Sequence, residues 1–417
     1  MATMTATTVF WLAGSESMLL SGSGASIGVA LGRLSGLILM LLVFAQLLLA
    51  SRMPVLDTFP QFTPLRLHRI FGFTILWVLL AHVGFLLYGY AAQSGVNLVA
   101  QFVTFITTWD NVAYALVGAI VLLAAGIISM RIIRSRMRYE IWYAFHLFLY
   151  GSISFAFLHQ ISSGDMANGM ARVFWIALTV LVFGIFFAYR LARPLWNLVR
   201  HDFRVARVVA ESDTVCSVYI TGRNIESFRF KAGQHAHFTF LQRGLSSHHP
   251  FSFSQAWNGK EIRISVKKLG DFTNDIATLR PGTRVIIDGP MGHFTADVAE
   301  TGKYCLIAGG IGITPVIALA QSIQHPTDAV VLVSNRTKVD APLLGELAST
   351  RVRAYPYFSD ELPPRKIDAA EIIRVCPDIF SRDTFLCGPP GMVAALTQGL
   401  ITAGVPAAQV HSEGFAY

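Results

Sequence analysis

The sequence predicts a multidomain membrane protein: an all-α transmembrane helix bundle, then an antiparallel β-barrel, then an α/β domain on a parallel sheet. Three observations predict it. The chain is 53% hydrophobic and only 14% charged, against ~25% charged in an ordinary soluble domain, and long apolar runs concentrate the excess before about Tyr189. Past that point, short alternating or β-branched runs are separated by turn residues. From Gly302 onward strands alternate with helices, and glycine-rich turns follow the strands. The expected boundaries are 1–27 for an N-terminal segment, 28–192 for the membrane domain, 193–202 for a linker, 203–298 for the barrel and 299–417 for the α/β domain.

Residues 1–26 lack a positive n-region, and Glu16 interrupts their apolar stretch, so a cleavable signal peptide is not expected. TVFWLAG reads as the stub of a short first helix or as an interfacial segment. Five spans follow near 28–50, 66–90, 110–131, 139–160 and 171–192, each close to the ~20 apolar residues a bilayer requires. Arginines orient them. Arg52, Arg66 and Arg69 flank one loop; Arg131, Arg134, Arg136 and Arg138 fill the next on that side; Arg190, Arg193 and Arg200 follow the last span. The loops near 91–109 and 161–170 hold no Lys or Arg. The positive-inside rule then puts the soluble half in the cytoplasm of a multi-pass cell-membrane protein.

Four histidines lie in these apolar surroundings: His68 and His82 in one run, His146 and His159 in another. An ionisable side chain there is costly and marks a functional site by default. Neutral imidazole is also a common haem ligand. His68 and His82 are 14 residues apart, nearly four turns, so they share a helix face about 21 Å apart along the axis. His146 and His159 are 13 apart, a rise of about 20 Å, which on an ideal helix turns the second about 140° from the first. Gly151-Ser152 lies between them, so the spacing predicts an irregular helix there. Side by side, the two helices would clamp two stacked haems, His68 with His146 near the cytoplasmic face and His82 with His159 near the outer one.

In the soluble half, VARVVAES, CSVYITG, HAHFTFL and EIRISVK read as strands of a small antiparallel barrel. Within them stand His249-Pro250-Phe251-Ser252 and Lys267 followed by Gly270-Asp271-Phe272-Thr273. A strand runs there into a helix start whose free N–H groups suit a phosphate, although Gly-x-x-Thr before a helix is usually only a cap. Further on, Tyr304–Ala308 reads as a buried strand before Gly309-Gly310-Ile311-Gly312-Ile313-Thr314-Pro315. A turn of this kind lets backbone N–H groups approach a pyrophosphate. The strand Ala329–Ser334 ends in Asn335-Arg336-Thr337 with no acid. Arg336 fits a ribose 2′-phosphate and fits a solvated loop charge equally well. A last strand, Thr384–Cys387, enters Gly388-Pro389-Pro390-Gly391-Met392.

Two classes are excluded. The net charge of +8 does not mark a nucleic-acid partner, because no Lys precedes Lys231 and the early arginines flank apolar spans, a topology signal. The four cysteines, Cys216, Cys305, Cys376 and Cys387, have no CxxC or zinc-like spacing, which indicates a reduced compartment rather than a disulfide framework.

Taken in order, His-x13-His, His-x12-His, HPFS, GDFT, GGIGITP and CGPPGM resemble the NADPH oxidase and ferric reductase family: a haem-bearing membrane domain fused to a ferredoxin-reductase-like FAD/NADPH dehydrogenase. The resemblance runs from about residue 28 to the C-terminus. It implies haem b (two), FAD and NADPH as cofactors. His68, His82, His146 and His159 would be the iron ligands. His249, Pro250, Phe251 and Ser252 would hold the flavin, and Lys267, Gly270, Phe272 and Thr273 its pyrophosphate. Gly309, Gly310, Gly312, Thr314, Pro315 and Arg336 would bind the dinucleotide, with Cys387, Gly388 and Pro389 at the nicotinamide. Glu413-Gly414-Phe415 matches the family's Glu-x-aromatic ending, and either Phe415 or Tyr417 would cover the flavin. Ser252, Cys387, Phe415 and Arg33 would stand at the reacting groups, Arg33 resembling an oxidase arginine near the outer haem. Leu86 occupies the place where some members carry a further histidine, and five spans are expected where the family usually has six.

The implied activity is electron transfer from cytoplasmic NADPH through FAD and two haems across the lipid bilayer. The acceptor would be dioxygen giving superoxide, or else a ferric chelate or quinone. A non-enzymatic haem relay or sensor is the remaining reading. No calcium-binding loop or regulatory domain is evident in the sequence, and no regulatory subunit is expected.

Overall fold

A computed structural model describes residues 2–58, 64–130, 133, 136–137, 139–361 and 367–414. It falls into two compact units, one formed by Met1–Leu56 and Phe62–Arg190, the other holding Leu191–Tyr417.

Among the described residues the first unit is all helix: α1 Ala2–Leu20, α2 Gly24–Ala50, α3 Pro64–Ser94, α4 Leu98–Thr108, α5 Val112–Ile128, α6 Tyr139–Gln160 and α7 Gly169–Phe187. Four described segments are long and apolar enough to cross a membrane: Gly24–Ala50, Pro64–Ser94, Ile141–Gln160 and Gly169–His201. The span expected near 110–131 differs. Its α5 is the second half of a pair, α4 and α5, bent by 112°. The stretch 91–109, read from sequence as a loop, thus holds a helix. Asn97 caps it by accepting from the Ala100 N–H at 2.9 Å, which fixes its start. The N-terminal segment is a helix of 19 residues rather than a stub.

α1, α2, α3, α6 and α7 share a core that includes Trp11, Met40, Phe44, Ile75, Trp175 and Phe186. Its two buried indole N–H groups are satisfied: Trp11 Nε1 donates to the Ala30 carbonyl, and Trp175 Nε1 to Gln160 Oε1, both at 2.9 Å. Large apolar side chains such as Phe73, Trp77, Phe148 and Val180 face outward. An apolar exterior of this extent is what lipid requires and water penalises.

In the second unit the expected linker is itself a helix, α8 Arg193–His201, whose Pro194, Asn197 and His201 are buried. Then come β1 Arg204–Ala210, β2 Val215–Thr221, β3 His235–Phe240, β4 His249–Ser252, β5 Ile262–Lys267, the short α9 Asp271–Asp275 and β6 Val285–Met291. They form two antiparallel three-stranded sheets, β1-β2-β5 and β4-β3-β6. Bridges Arg204↔Arg284 and Phe253↔Ile264 join them around a core of Phe203, Val218, Phe238, Phe240, Phe253 and Ile264.

The rest alternates strand and helix: β7 Tyr304–Gly309, α10 Ile313–Ser322, β8 Ala329–Asn335, α11 Leu344–Ser349, β9 Arg353–Phe358, α12 Ala369–Val375, β10 Asp383–Gly388, α13 Pro390–Thr402 and β11 Val410–Gly414. The sheet is parallel, in the order β11-β10-β7-β8-β9. Alternate residues of its central strands feed two separate cores, Leu306, Val331 and Phe385 on one face, Cys305, Leu332 and Leu386 on the other. That explains why these strands read as unbroken apolar runs.

Candidate functional site

In the membrane unit, α3 and α6 bring their histidines together in the expected pairs. The His68 and His146 rings lie 6.1 Å apart between centroids, and the His82 and His159 rings 6.4 Å. The helix bearing His146 and His159 is α-helical throughout Tyr139–Gln160, so the irregularity expected at Gly151-Ser152 is absent. An imidazole has two free side-chain torsions, and rotamer choice can absorb an angular offset that the backbone does not.

Hydrogen bonds fix which ring nitrogen is free. His82 Nδ1 lies 2.7 Å from the Gly32 carbonyl oxygen, a contact only an N–H can make, so Nε2 keeps its lone pair. The Ser129 hydroxyl donates to the Ala125 carbonyl at 2.7 Å. Its oxygen therefore accepts from Trp142 Nε1 at 3.2 Å and from His146 Nδ1 at 3.4 Å, again leaving Nε2. Gly36 on α2 lies beneath the His82 ring: a Cβ there would stand 2.5 Å from His82 Cε1, so only glycine gives the ring this room.

His82 and His159 line a cavity of about 240 Å³ whose other walls are mostly apolar, among them Met40, Leu86, Phe105 and Trp109. Arg33 also lines it. Its guanidinium is held by Asp165 at 2.9 Å, and Tyr90 Oη accepts from it at 3.4 Å. Among the described residues no three His, Cys, Asp or Glu side chains converge as a metal site. Each histidine pair thus supplies two nitrogen donors and nothing more.

In the second unit HPFS forms β4, paired with β3 so that Ser252 faces His235. GDFT meets it through the Phe272 ring, 3.9 Å from that of His249. Thr273 Oγ1 accepts from the Leu269 and Gly270 N–H groups at 2.8 and 3.0 Å, so the turn is already closed on itself. Lys267 is drawn to Asp340 at 3.7 Å. The Ser252 hydroxyl is buried with no partner among the described residues, a cost that a bound hydrogen-bonding ligand would remove.

The two glycine turns of the α/β part lie at adjacent strand ends. A Cβ on Gly312 would collide with the Cys387 carbonyl, so glycine is what lets the β7 and β10 turns pack together. Thr314 and Pro315 are buried at the start of α10. Arg336 is exposed just past the end of β8, one strand from the turn. Burial pushes the Cys387 thiol well up, and the Glu413 charge adds to it, so the sulfur is a neutral thiol at pH 7. Phe415 and Tyr417 lie outside the described residues.

Residues 32–157 match the ferric reductase like transmembrane component, and residues 200–295 match the FAD-binding domain. The chain has the architecture of the NADPH oxidase and ferric reductase family. Relatives include phenoxybenzoate dioxygenase subunit beta of Ectopseudomonas oleovorans, 33% identical over 193 residues, 45% of this chain and 58% of that one. A flavohemoprotein of Burkholderia sp. (strain TH2) is 28% identical over 232 residues, 51% of this chain and 58% of that one. The chain thus spans less than two thirds of the length of either. The flavohemoglobin structure of Malassezia yamatoensis, solved with bound FAD and heme, aligns over 97% of this chain and 99% of that one at 18% identity and a TM-score of 0.47.

Within this oxidase and reductase architecture, three residues escaped the sequence reading. Asp165 and Tyr90 were findable from Arg33, because a cation in an apolar unit needs a partner and Asp165 is the lone acid of the 161–170 loop. His235 lies 3.6 Å from Glu413. As Ser252 faces His235 and Cys387 faces Glu413 in their ladders, this contact joins the flavin motif to the nucleotide motif. HAHFTF gave no hint beyond a strand.

Proposed function

We propose that the chain is a transmembrane oxidoreductase that takes electrons from cytoplasmic NADPH and delivers them to dioxygen at the outer face, giving superoxide. The observation that carries this is the pair of facing imidazole pairs at 6.1 and 6.4 Å in a chain that also carries an FAD-binding domain. A metal–imidazole bond of about 2 Å on each side, plus roughly 1 Å from nitrogen to ring centre, gives a separation of about 6 Å. With only two protein donors per pair, a planar macrocycle is the natural source of the rest, so the donor set fits two haems.

When bound, FAD would accept a hydride and the haems would each carry single electrons. The protein's part is positional. Gly32 and Ser129 hold His82 and His146 with Nε2 available, Ser252 offers its hydroxyl to the flavin, and Gly309, Gly310 and Gly312 let the dinucleotide approach the backbone. His68 with His146 and His82 with His159 would each hold one haem, which would pass single electrons on toward the acceptor. We read 203–298 as the flavin part and 299–417 as the nucleotide part.

Dioxygen is favoured over an anionic ferric chelate because the Arg33 charge is compensated by Asp165 and the cavity walls are apolar. The test is NADPH-driven cytochrome c reduction by purified protein in detergent. Superoxide dismutase should abolish most of it. A rate indifferent to the dismutase and stimulated by ferric citrate would favour a ferric reductase.

A further inference from the structure

The segment that follows the last apolar helix carries a feature the electron path does not use. α8 buries Pro194, Asn197 and His201, and its opposite face exposes Leu195, Trp196, Val199 and Arg200. Leu195, Trp196 and Val199 are 55%, 61% and 70% exposed, an apolar strip that water disfavours. The chain enters α8 from the apolar helix through a π-helical segment, Ala188–Ala192, within one continuous helical stretch, Gly169–His201. An aromatic residue and aliphatics displayed there have the composition of a membrane-interface segment.

Beside that strip lies a cavity of about 270 Å³, lined by Arg193, Trp196, Asn197, Arg200, His201 and Arg229 among others. It is within the second unit. Arg193 Nη2 donates to the Pro290 carbonyl at 3.4 Å, while its Nη1 is buried with no partner. Among the described residues neither Arg193, Arg200 nor Arg229 stands in an ion pair. The His201 Nδ1–H is spent on the Arg223 carbonyl at 3.1 Å, and Asn197 Nδ2 donates to the Ile287 carbonyl at 3.4 Å. Three uncompensated guanidiniums around one small cavity, one with a buried unpartnered N–H group, form a site for a phosphate-type anion.

We propose that this cavity binds the phosphate of an anionic phospholipid from the leaflet facing the soluble unit. The acyl chains would lie along Leu195 and Val199, with Trp196 at the headgroup boundary. Coulombic attraction to an anionic leaflet favours basic residues near the surface, and the apolar strip selects a lipid over free phosphate. Bound lipid would tether the start of the dehydrogenase half to the bilayer.

The test uses the full-length protein, delipidated in a neutral detergent and examined by native mass spectrometry. Phosphatidylglycerol, phosphatidylcholine and inorganic phosphate are added in separate arms. The expected result is one more retained phosphatidylglycerol in the wild type than in Arg193→Gln/Arg200→Gln/Arg229→Gln, with no such difference for phosphatidylcholine. Exposed Arg200→Glu and Trp196→Ser, which leave the buried face of α8 intact, should each lower that occupancy several-fold while flavin absorbance is unchanged. Equal phosphatidylglycerol counts in wild type and both exposed-face variants would overturn the proposal. So would displacement of the lipid by inorganic phosphate at equal concentration, which would make the cavity a free-phosphate site.

Discussion

The two units build their candidate sites from opposite materials. In the membrane unit the site is made of side chains: four imidazoles from α3 and α6, steered by Gly32 and Ser129, inside an otherwise apolar bundle. In the soluble unit it is made of backbone: glycine turns at neighbouring strand ends, so close that Gly312 has no room for a Cβ. Each ligand class calls for its own material. An iron atom needs a lone pair at one point, whereas a dinucleotide needs a run of N–H groups and space.

If the membrane site rests on single donor atoms, removing one should be all-or-none. His82→Leu or His159→Leu should halve the haem content, leaving the His68/His146 site filled. Pyridine haemochrome titration against protein concentration measures this, and full retention of two haems would sink the pairing.

If the soluble site rests on backbone approach, the smallest added side chain should be severe there. Gly312→Ala should abolish nucleotide binding or destabilise the unit by about 1–3 kcal/mol through overpacking. Gly345→Ala, at a position with nothing within 4 Å, is the matched control. Thermal melts and NADP titrations compare them. Equal behaviour of the two variants would remove the backbone argument.

A smaller effect concerns the charged contact expected at the ribose of the dinucleotide. Arg336→Ala should weaken NADPH binding about tenfold, about 1.4 kcal/mol, and leave NADH unchanged. If both Michaelis constants move together, Arg336 is a solvated loop charge. The smallest effect is at the chain's end: Phe415→Ser should tighten NADP binding a few-fold and perturb the flavin spectrum if its ring covers the flavin. The same change on Tyr417→Ser, with Phe415→Ser silent, moves that role two residues along.

Legibility in the sequence follows the same division. HPFS, GDFT, GGIGITP and CGPPGM are contiguous, so each motif can be found in a line of text, and the parallel strands announce themselves by unbroken apolar runs. The histidine pairs were legible for another reason: polarity inside an apolar run stands out, and helical rise fixes depth. What stayed hidden was tertiary. Asp165 meets Arg33 across 132 residues, and His235 meets Glu413 between two subdomains. The α4–α5 bend was masked because 91–109 carries no charge, and α8 because its two arginines and proline read as a linker.

The central claim is that electrons entering at the nucleotide site reach both histidine pairs within one chain. Anaerobic stopped-flow spectroscopy of the purified, haem- and FAD-loaded protein tests it most directly. Mixing with NADPH alone should bleach the flavin band and then reduce both haems, seen as growth of the ferrous α-band to the same extent that dithionite gives. A flavin that bleaches while the haems stay ferric would contradict the account.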